Sequence, residues 1–135
     1  MEERIRYTTA PPEDFGKVLA LYERLGWNSL KLTVNELERM FHGSWSAIYA
    51  YDHERLVGSG RIISDGVITG LICGVGVLPE YQSKGIGKEM MGRLVQHCKE
   101  HGIIPQLMCV ESLESYYEAI GFRKFTSGMK MDVDR

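Results

Sequence analysis

The sequence predicts an α/β fold in which a mixed central sheet is flanked by helices. Two neighbouring segments carry this prediction. Residues 71–78 form an apolar, β-branched run typical of a buried strand, and Pro79 ends it because proline has no N–H to donate. After Gly87, apolar residues recur at helical spacing with charged residues on the other face. A further apolar segment follows this helix, and the helical crossover predicts that it pairs parallel to the first strand.

The N-terminal part predicts an edge strand and two helices. Residues 5–9 alternate and favour β structure, whereas residues 11–14 predict the start of a helix that ends at Gly26. Residues 33–36 have the Thr-x-x-Glu pattern of a capping box and predict a short second helix. The apolar face predicted for the first helix consists of Phe15, Val18, Leu19, Tyr22 and Leu25.

The middle of the chain predicts a hairpin followed by the central strand. Residues 45–51 and 56–63 read as strands, and the polar residues 52–55 form the turn between them. Gly66 interrupts the chain before the central strand begins. Two glycines within that strand, Gly74 and Gly76, predict a bulge or the close approach of another backbone, or they admit a large neighbouring side chain.

The C-terminal part predicts a strand, a helix and a last strand. Gly102 ends the central helix, and residues 105–110 form the parallel strand. Ser112 is predicted to cap another helix that ends at Gly121, and a final strand runs from Phe122 onwards. The alternating apolar residues of this final strand are Met129, Met131 and Val133.

Length, charge and cysteine content limit the class of protein. A chain of 135 residues predicts one domain over residues 1–135. A formal net charge of -2 provides no bulk field for nucleic acid or a membrane surface, so neither partner is expected. The three cysteines lie in apolar runs and make an odd count, which favours reduced core thiols in a cytoplasmic protein. No targeting segment is recognised at the N-terminus. The cysteines are Cys73, Cys98 and Cys109.

The polar segment between the central strand and helix predicts an anion-binding loop. Residues 82–87 contain glycine at two alternate positions, and they precede a helix whose first N–H groups lack intrahelical acceptors. The positive end of the helix dipole favours an anion such as a pyrophosphate, and Lys84 and Lys88 would add full charges.

Two common phosphate-binding motifs do not fit this loop. A Walker A motif requires glycine where Gln82 stands and a hydroxyl residue where Glu89 follows the lysine. A dinucleotide fingerprint requires a third glycine where Met90 stands.

The pattern Gln-x-x-Gly-x-Gly, preceded by Val-Leu-Pro-Glu-Tyr at 77–81, resembles the pyrophosphate loop of the GNAT superfamily of N-acetyltransferases. Residues 116–122 resemble a second signature of these enzymes, and the predicted order of elements matches their fold. The resemblance implies acetyl-CoA as cosubstrate and two parallel strands that splay apart around its pantetheine. It assigns cofactor binding to Val75, Val77, Gln82, Ser83, Lys84, Gly85, Ile86, Gly87 and Lys88.

In the same signature, Tyr117 stands at the position of the general acid. The phenol has a pKa of about 10 and the leaving thiolate one of about 8.5, so protonation is uphill by ~2 kcal/mol, which a positioned hydrogen bond can offset. The alternative is that Tyr117 only packs the helix face. Relatives often place a carboxylate where Gly74 stands, so the base is open. Glu111 is the tentative base, and Asp65, Glu80 and His53 are the other candidates.

The sequence offers few candidate residues for the acceptor pocket or for a metal site. Trp27 lies between the two N-terminal helices and is a tentative substrate contact, although an aromatic that packs the helices together is the alternative. Tyr49 and Arg61 are further candidates for this pocket. His97 and His101 stand four apart on one helical face, but nothing in the sequence surrounds them with other ligands, so no metal is expected.

The sequence therefore predicts an N-acetyltransferase that moves an acetyl group directly to a primary amine of a small molecule or peptide through a ternary complex. One alternative is a silent module of the same fold that binds or senses acyl-CoA. Another is an interaction subunit that binds no CoA. The resemblance also leaves open a homodimer formed through the last strands.

Overall fold

A computed structural model describes residues 4–135 and has a five-stranded central sheet in the order β1-β2-β3-β4-β5. All neighbouring strands are antiparallel except β4 and β5, which are parallel. This confirms the mixed sheet, the edge position of the first strand and the crossover through the central helix. The strands are β1 (Ile5–Thr8), β2 (Ser46–Asp52), β3 (Arg55–Ile63), β4 (Thr69–Val77) and β5 (Ile104–Gln106).

Helices cover both faces of this sheet. The helices are α1 (Gly16–Arg24), α2 (Val34–His42), α3 (Ile86–Glu100) and α4 (Glu114–Ala119), with short 3-10 segments at Pro79–Tyr81 and Glu111–Leu113. A Cβ built on Gly58 or Gly60 of β3 would contact Met90 or Leu94 of α3. A Cβ on Gly76 of β4 would instead contact Leu25 and Trp27, just after α1. The helix α3 therefore packs on one face of the sheet, and α1 and α2 pack on the opposite face.

The N-terminal helices follow the predicted patterns closely. The helix α1 begins at Gly16, later than predicted, because the Asp14 carboxylate accepts the Gly16 N–H at 2.8 Å. The predicted capping box is confirmed: the Glu36 N–H donates to Thr33 Oγ1 at 3.1 Å, and the Thr33 N–H donates to Glu36 Oε1 at 2.9 Å. These bonds satisfy donors that the first turn of α2 leaves free.

A β-bulge interrupts β4 at Gly74, as predicted. The register passes from Ser59 opposite Gly76 to Arg61 opposite Cys73, so β4 contains one more residue than β3 over this interval. Gly74 has a φ of 64°, a conformation that glycine adopts without a steric cost.

The parallel strands separate after a short contact. Residues Thr69 to Leu71 of β4 pair with Ile104 to Gln106 of β5, and beyond Leu71 the described partner of β4 is β3. The prediction of a strand over 105–110 is therefore wrong beyond Gln106. Once the two backbones diverge, the residues after Gln106 have no neighbouring strand, within the described chain, with which to form backbone hydrogen bonds.

The predictions for the C-terminal end are wrong in three respects. Ser112 lies in a 3-10 turn, and α4 has Leu113 at its N-cap without a side-chain bond. No strand forms from Phe122 onwards, where Met129 is 95% exposed and Val133 is 70% exposed. The alternation there lacks a strand partner within residues 4–135, and alternation alone does not make a strand. Cys109, predicted as a core thiol, is exposed, whereas Cys98 is buried and Cys73 partly buried, and all three are free.

Across residues 4–135, none of the helices combines the length and the apolar character that a membrane crossing requires.

Candidate functional site

The segment that follows β4 is held at its start by a side chain. The Gln82 Nε2 group donates to the Val77 carbonyl at 2.9 Å, which ties the loop back to the end of the strand. The chain then turns through two left-handed residues, Ser83 at φ 64° and Gly85 at φ 87°. Gly85 is the N-cap of α3, and the buried Ile86 anchors the first turn of that helix in the core. The Gln82 bond, the two left-handed residues and the Ile86 anchor therefore define the shape of the loop.

This loop presents a row of unpaired backbone donors. Among residues 4–135, no acceptor contacts the N–H groups of residues 83–88, and the first intrahelical bond runs from the Glu89 N–H to the Gly85 carbonyl at 3.0 Å. A Cβ built on Gly85 has no atom within 4 Å, so the space before the helix is open. Free N–H groups at the positive end of a 15-residue helix provide an environment that favours an anion such as a pyrophosphate.

The sequence-predicted lysines lie on this same surface. Lys84 and Lys88 are exposed, and within the part of the chain that the structure describes neither forms a salt bridge. Lys88 also lines a cavity of about 410 Å³ that continues along the outer side of α3. Both ammonium groups are free to approach an anion held by the backbone donors.

Glu80 fixes the 3-10 turn that leads into the loop. Its carboxylate accepts from Arg24 of α1 and Arg55 of β3, each at 2.8 Å. Hydrogen bonds from Arg24 lower the pKa of Glu80 first of all, and with Arg55 they bring it to about 2. At neutral pH this carboxylate is ionised and bound by both arginines, so Glu80 is unsuited to act as a base. Its ion pairs instead connect the turn to α1 and to the hairpin.

The second half of β4 has one edge that faces away from β3. The Leu78 N–H donates to the Val57 carbonyl of β3 at 2.8 Å, so by alternation the backbone groups of Val77 and Val75 point to the other edge. That edge begins where β5 has diverged. The Val77 carbonyl is occupied by Gln82, which leaves the Val77 N–H available at this edge.

Trp27 packs against the sheet beside this edge. Its ring lies 5.4 Å from the Tyr22 ring in an edge-to-face arrangement and covers the bare backbone of Gly76. The side chain is still 40% exposed. Trp27 therefore has the packing role that the sequence offered as the alternative, while its exposed edge remains accessible to a bound molecule.

A polar cluster lies on the same face of the sheet, next to the bulge. We call it the Arg61 cluster; its members are Tyr22, Ser44, Ser59, Arg61 and Cys73. Arg61 Nη1 lies 3.4 Å from Ser44 Oγ, and burial raises the pKa of Tyr22 while the Arg61 charge opposes that rise. Sequence reasoning identified Arg61 but missed Tyr22 and Ser59, because Tyr22 belongs to an apolar helix pattern and Ser59 to an ordinary strand.

Tyr117 lies on α4, half-buried against the aromatic rings of Tyr116 and Phe122 at 5.0 and 6.1 Å. Burial raises the pKa of its hydroxyl, and the neighbouring Tyr116 and Cys109 act in the same direction. With a pKa raised above that of a free phenol, the hydroxyl is protonated at neutral pH, and within residues 4–135 it has no hydrogen-bond partner. Its role as the general acid stays a prediction.

The remaining candidates for the base lie apart from one another. Glu111 begins the 3-10 turn before α4 and is exposed. Asp65 is also exposed and accepts the Val67 N–H at 3.0 Å. His53 lies in the turn between β2 and β3, where its Nδ1 is 3.1 Å from Asp52 Oδ1. Glu111 is the candidate that lies near the Tyr117 helix in sequence, and its role stays a prediction.

His97 of α3 and His101 at its C-cap pack against Trp45 in a cluster of tilted and edge-on aromatic rings. Trp45 lies 4.8 Å from His97 and 5.3 Å from His101, and the two imidazoles are 4.6 Å apart. In the chain from residue 4 onwards, no three side chains of His, Cys, Asp or Glu converge in a group that could hold a metal ion.

Curated proteins with similar sequences are acetyltransferases by name. An uncharacterised N-acetyltransferase (ycf52-like) of Prochlorococcus marinus is 26% identical over 107 residues, covering 76% of this chain and 58% of that protein. The histone acetyltransferase TAP1 of Glycine max is 25% identical, covering 95% of this chain and 60% of that protein. This chain thus spans about three fifths of the length of these relatives.

Solved structures with the same fold include a probable acetyltransferase of Staphylococcus aureus, with a TM-score of 0.81 and 23% identity. The match covers 96% of this chain and 99% of the Staphylococcus aureus chain. An acetyltransferase of Trypanosoma brucei has a TM-score of 0.79 and 24% identity over the same shares. The model of the acetyltransferase (GNAT) family matches residues 13–122, which include the loop, the open edge and Tyr117. The chain belongs to the acetyltransferase (GNAT) family.

Proposed function

We propose that this protein transfers the acetyl group of acetyl-CoA directly to a primary amine within a ternary complex. The observation that carries the proposal is the row of unpaired backbone donors at residues 83–88 beside the open edge of β4. A pyrophosphate and an extended pantetheine need such a combination of an anion site and a strand edge. The family membership makes acetyl-CoA the natural occupant.

The proposed cofactor-binding residues contact different parts of acetyl-CoA. The N–H groups of residues 83–88 bind the pyrophosphate, and Lys84 and Lys88 add charge. The backbone groups of Val75 and the N–H of Val77 pair with the pantetheine amides. Gln82 acts through its bond to the Val77 carbonyl, which holds the loop in the binding geometry.

Bound acetyl-CoA supplies an activated thioester. Trp27 and the polar groups near the bulge line the side from which the amine approaches. As the new C–N bond forms and the C–S bond breaks, the Tyr117 hydroxyl donates its proton to the leaving sulfur. Since burial raises the pKa of Tyr117, the hydroxyl is protonated throughout the neutral range, but the transfer requires a close and well-aligned sulfur.

The amine must lose a proton before it attacks. An alkylamine with a pKa of about 10.4 is neutral in about one part in 2500 at pH 7, a deficit of ~4.6 kcal/mol. We propose that Glu111, exposed at the turn before α4, accepts this proton directly or through water. Glu80 does not act as this base, because its carboxylate is already bound by Arg24 and Arg55.

Initial-rate kinetics with a panel of primary amines test the proposal. Release of free CoA thiol should depend on both substrates and give intersecting double-reciprocal plots, as in a ternary complex. Parallel plots, or a covalent acetyl-enzyme detected by intact mass, would contradict direct transfer. Tight binding of acetyl-CoA without amine-dependent thiol release would favour a binding module of the same fold.

A further inference from the structure

Arg61 is a half-buried cation that lacks an anionic partner within residues 4–135. It lies on β3 between Ala47 of β2 and Cys73 of β4. Within residues 4–135 its Nη1 has one hydrogen bond, to Ser44 Oγ at 3.4 Å, and its Nε is buried without a hydrogen-bond acceptor. The Tyr22 hydroxyl also lies beside the guanidinium. Throughout residues 4–135, no carboxylate lies within salt-bridge distance of its guanidinium.

Such an arrangement is costly in the protein alone. Withdrawing a cation from water is compensated when a carboxylate or another acceptor replaces the lost hydration. The Phe41 ring, whose centroid is 6.0 Å from Arg61 Cζ, provides a cation–π contact at the limit of its range but no hydrogen-bond acceptor. The planar guanidinium retains donors in the geometry that matches a carboxylate or a phosphate.

A second unpaired polar group lies on the same face. Ser59 precedes Arg61 by two positions on β3, so their side chains share a face, and Ser59 Oγ is fully buried without a hydrogen-bond partner among residues 4–135. Both residues lie on β3 opposite the segment of β4 that contains the bulge. A Cβ on Gly74 would lie 3.2 Å from Tyr22 Oη and 3.8 Å from Arg61 Nε, so the bare backbone of Gly74 lies against both groups.

The Arg61 cluster lies within reach of the proposed acetyl site. Arg61 is opposite Cys73, and Val77 follows four positions later on β4. On β3, Gly58 lies opposite Val77 and is three positions from Arg61, so the separation is about 10 Å along the strand at about 3.3 Å per residue. An acceptor whose anion binds Arg61 would therefore lie in the same part of the sheet as the open edge.

We infer that the acceptor is a primary amine that also carries a carboxylate or phosphate group, and that Arg61 binds this anion. The inference rests on the proposed function. Tyr22 contributes a hydroxyl beside the anion, and the cationic cluster selects against simple alkylamines and polyamines, which present only positive charge.

Matched acceptor pairs test the inference by kinetics. The carboxylate arm compares 4-aminobutyrate with its amide, and the phosphate arm compares phosphoethanolamine with ethanolamine. We expect kcat/KM at least about 10-fold higher for the anionic member of one arm, since 1.4 kcal/mol of charge-assisted bonding corresponds to tenfold. The preference should vanish in Arg61→Met, with KM for acetyl-CoA unchanged. The control Arg39→Met removes an exposed arginine from α2 and should retain the preference.

A binding measurement separates this inference from the proposed function. The Arg61 Nε–H resonance, assigned by its loss in Arg61→Lys, is followed during titration with inorganic phosphate and with glutarate. A saturable shift with either anion supports the site even if acetyl-CoA does not bind and the proposed function fails. If acetyl-CoA binds and amines are acetylated, but neither arm shows a preference and the resonance does not move, the inference is overturned and the proposed function stands.

Discussion

The indole ring of Trp27 occupies the space that a side chain at Gly76 would need. A Cβ at Gly76 would lie 2.3 Å from Trp27 Cη2 and 2.8 Å from Leu25 Cδ1. The absent side chain in the central strand thus lets the segment after α1 pack directly on the backbone. This contact fixes the position of Trp27 next to the open edge of β4, on the proposed acceptor side.

Gly76→Ala should therefore force the indole to move. We expect the free energy of unfolding to fall by about 1–3 kcal/mol, as in overpacked cores, because the neighbouring atoms include a rigid ring. Chemical denaturation measures the change. Gly92→Ala on α3 is the control: nothing lies within 4 Å of its Cβ, and alanine in a helix should raise stability by up to about 1 kcal/mol.

A double variant shows whether the clash with Trp27 causes the loss. Gly76→Ala combined with Trp27→Ala should lose less stability than the sum of the two single variants, because the clash disappears with the ring. Additive losses would show that Trp27 and Gly76 act independently.

The Glu80 bridge predicts a pH-dependent contribution to stability. Its pKa is lowered from 4.5 to about 2 in the folded protein. A lowered folded-state pKa means that the contribution is present above pH 4.5 and is lost as the pH falls through about 2. Glu80→Gln should be less stable than the native protein at pH 7, and the difference should shrink on acidification.

Thermal unfolding between pH 7 and pH 2 measures this difference. High salt should reduce it, because Glu80 is solvent-exposed and its partners are screened. The control Glu23→Gln on α1 removes an exposed carboxylate that forms no salt bridge within residues 4–135, and it should change stability at pH 7 much less than Glu80→Gln does. A Glu80→Gln difference that stays constant down to pH 2 would contradict the assignment.

The capping box of α2 predicts a local stability effect. Thr33→Ala removes the oxygen that accepts the Glu36 N–H and should cost about 1 kcal/mol. Thr33→Ser keeps the oxygen and should be close to neutral. Urea denaturation of both variants measures the effect, and equal losses would assign it to packing instead of capping.

Tyr117→Phe should lower kcat by about 10²–10⁴-fold while acetyl-CoA affinity is unchanged, if the hydroxyl is the proton donor. Tyr116→Phe is a matched control because the two rings are adjacent, 5.0 Å apart, on the same helix. Because the pKa of Tyr117 is raised above 10, kcat should show no loss from its deprotonation below that pH. Unchanged kcat in Tyr117→Phe would leave the residue a packing role.

Local patterns predicted the elements that depend on neighbours in sequence. The capping box at Thr33, the hairpin turn and the loop before α3 are each encoded within a few residues, and the structure has all three. The bulge at Gly74 was also accessible, because glycine within an apolar strand signals it.

Features that depend on distant parts of the chain could not be predicted in this way. The alternation of Met129, Met131 and Val133 resembles a strand, but no sheet edge within residues 4–135 pairs with it. The Glu80 carboxylate is bound by two arginines that come from different elements, α1 and β3. Tyr22 and Arg61 come together because α1 packs on β3. None of these contacts leaves a local sequence signal.

Isothermal titration calorimetry with acetyl-CoA and CoA tests the central claim most directly. The native protein should bind both with micromolar affinity, and Gly85→Glu should abolish binding by placing a side chain and a negative charge before the free N–H groups. Gly102→Glu is the matched control, since Gly102 also has a left-handed backbone, at φ 70°, and open space around its Cβ, but lies at the far end of α3. Retained binding in Gly102→Glu with loss in Gly85→Glu would place the cofactor at residues 83–88. No binding by the native protein, or equal binding by both variants, would contradict the account.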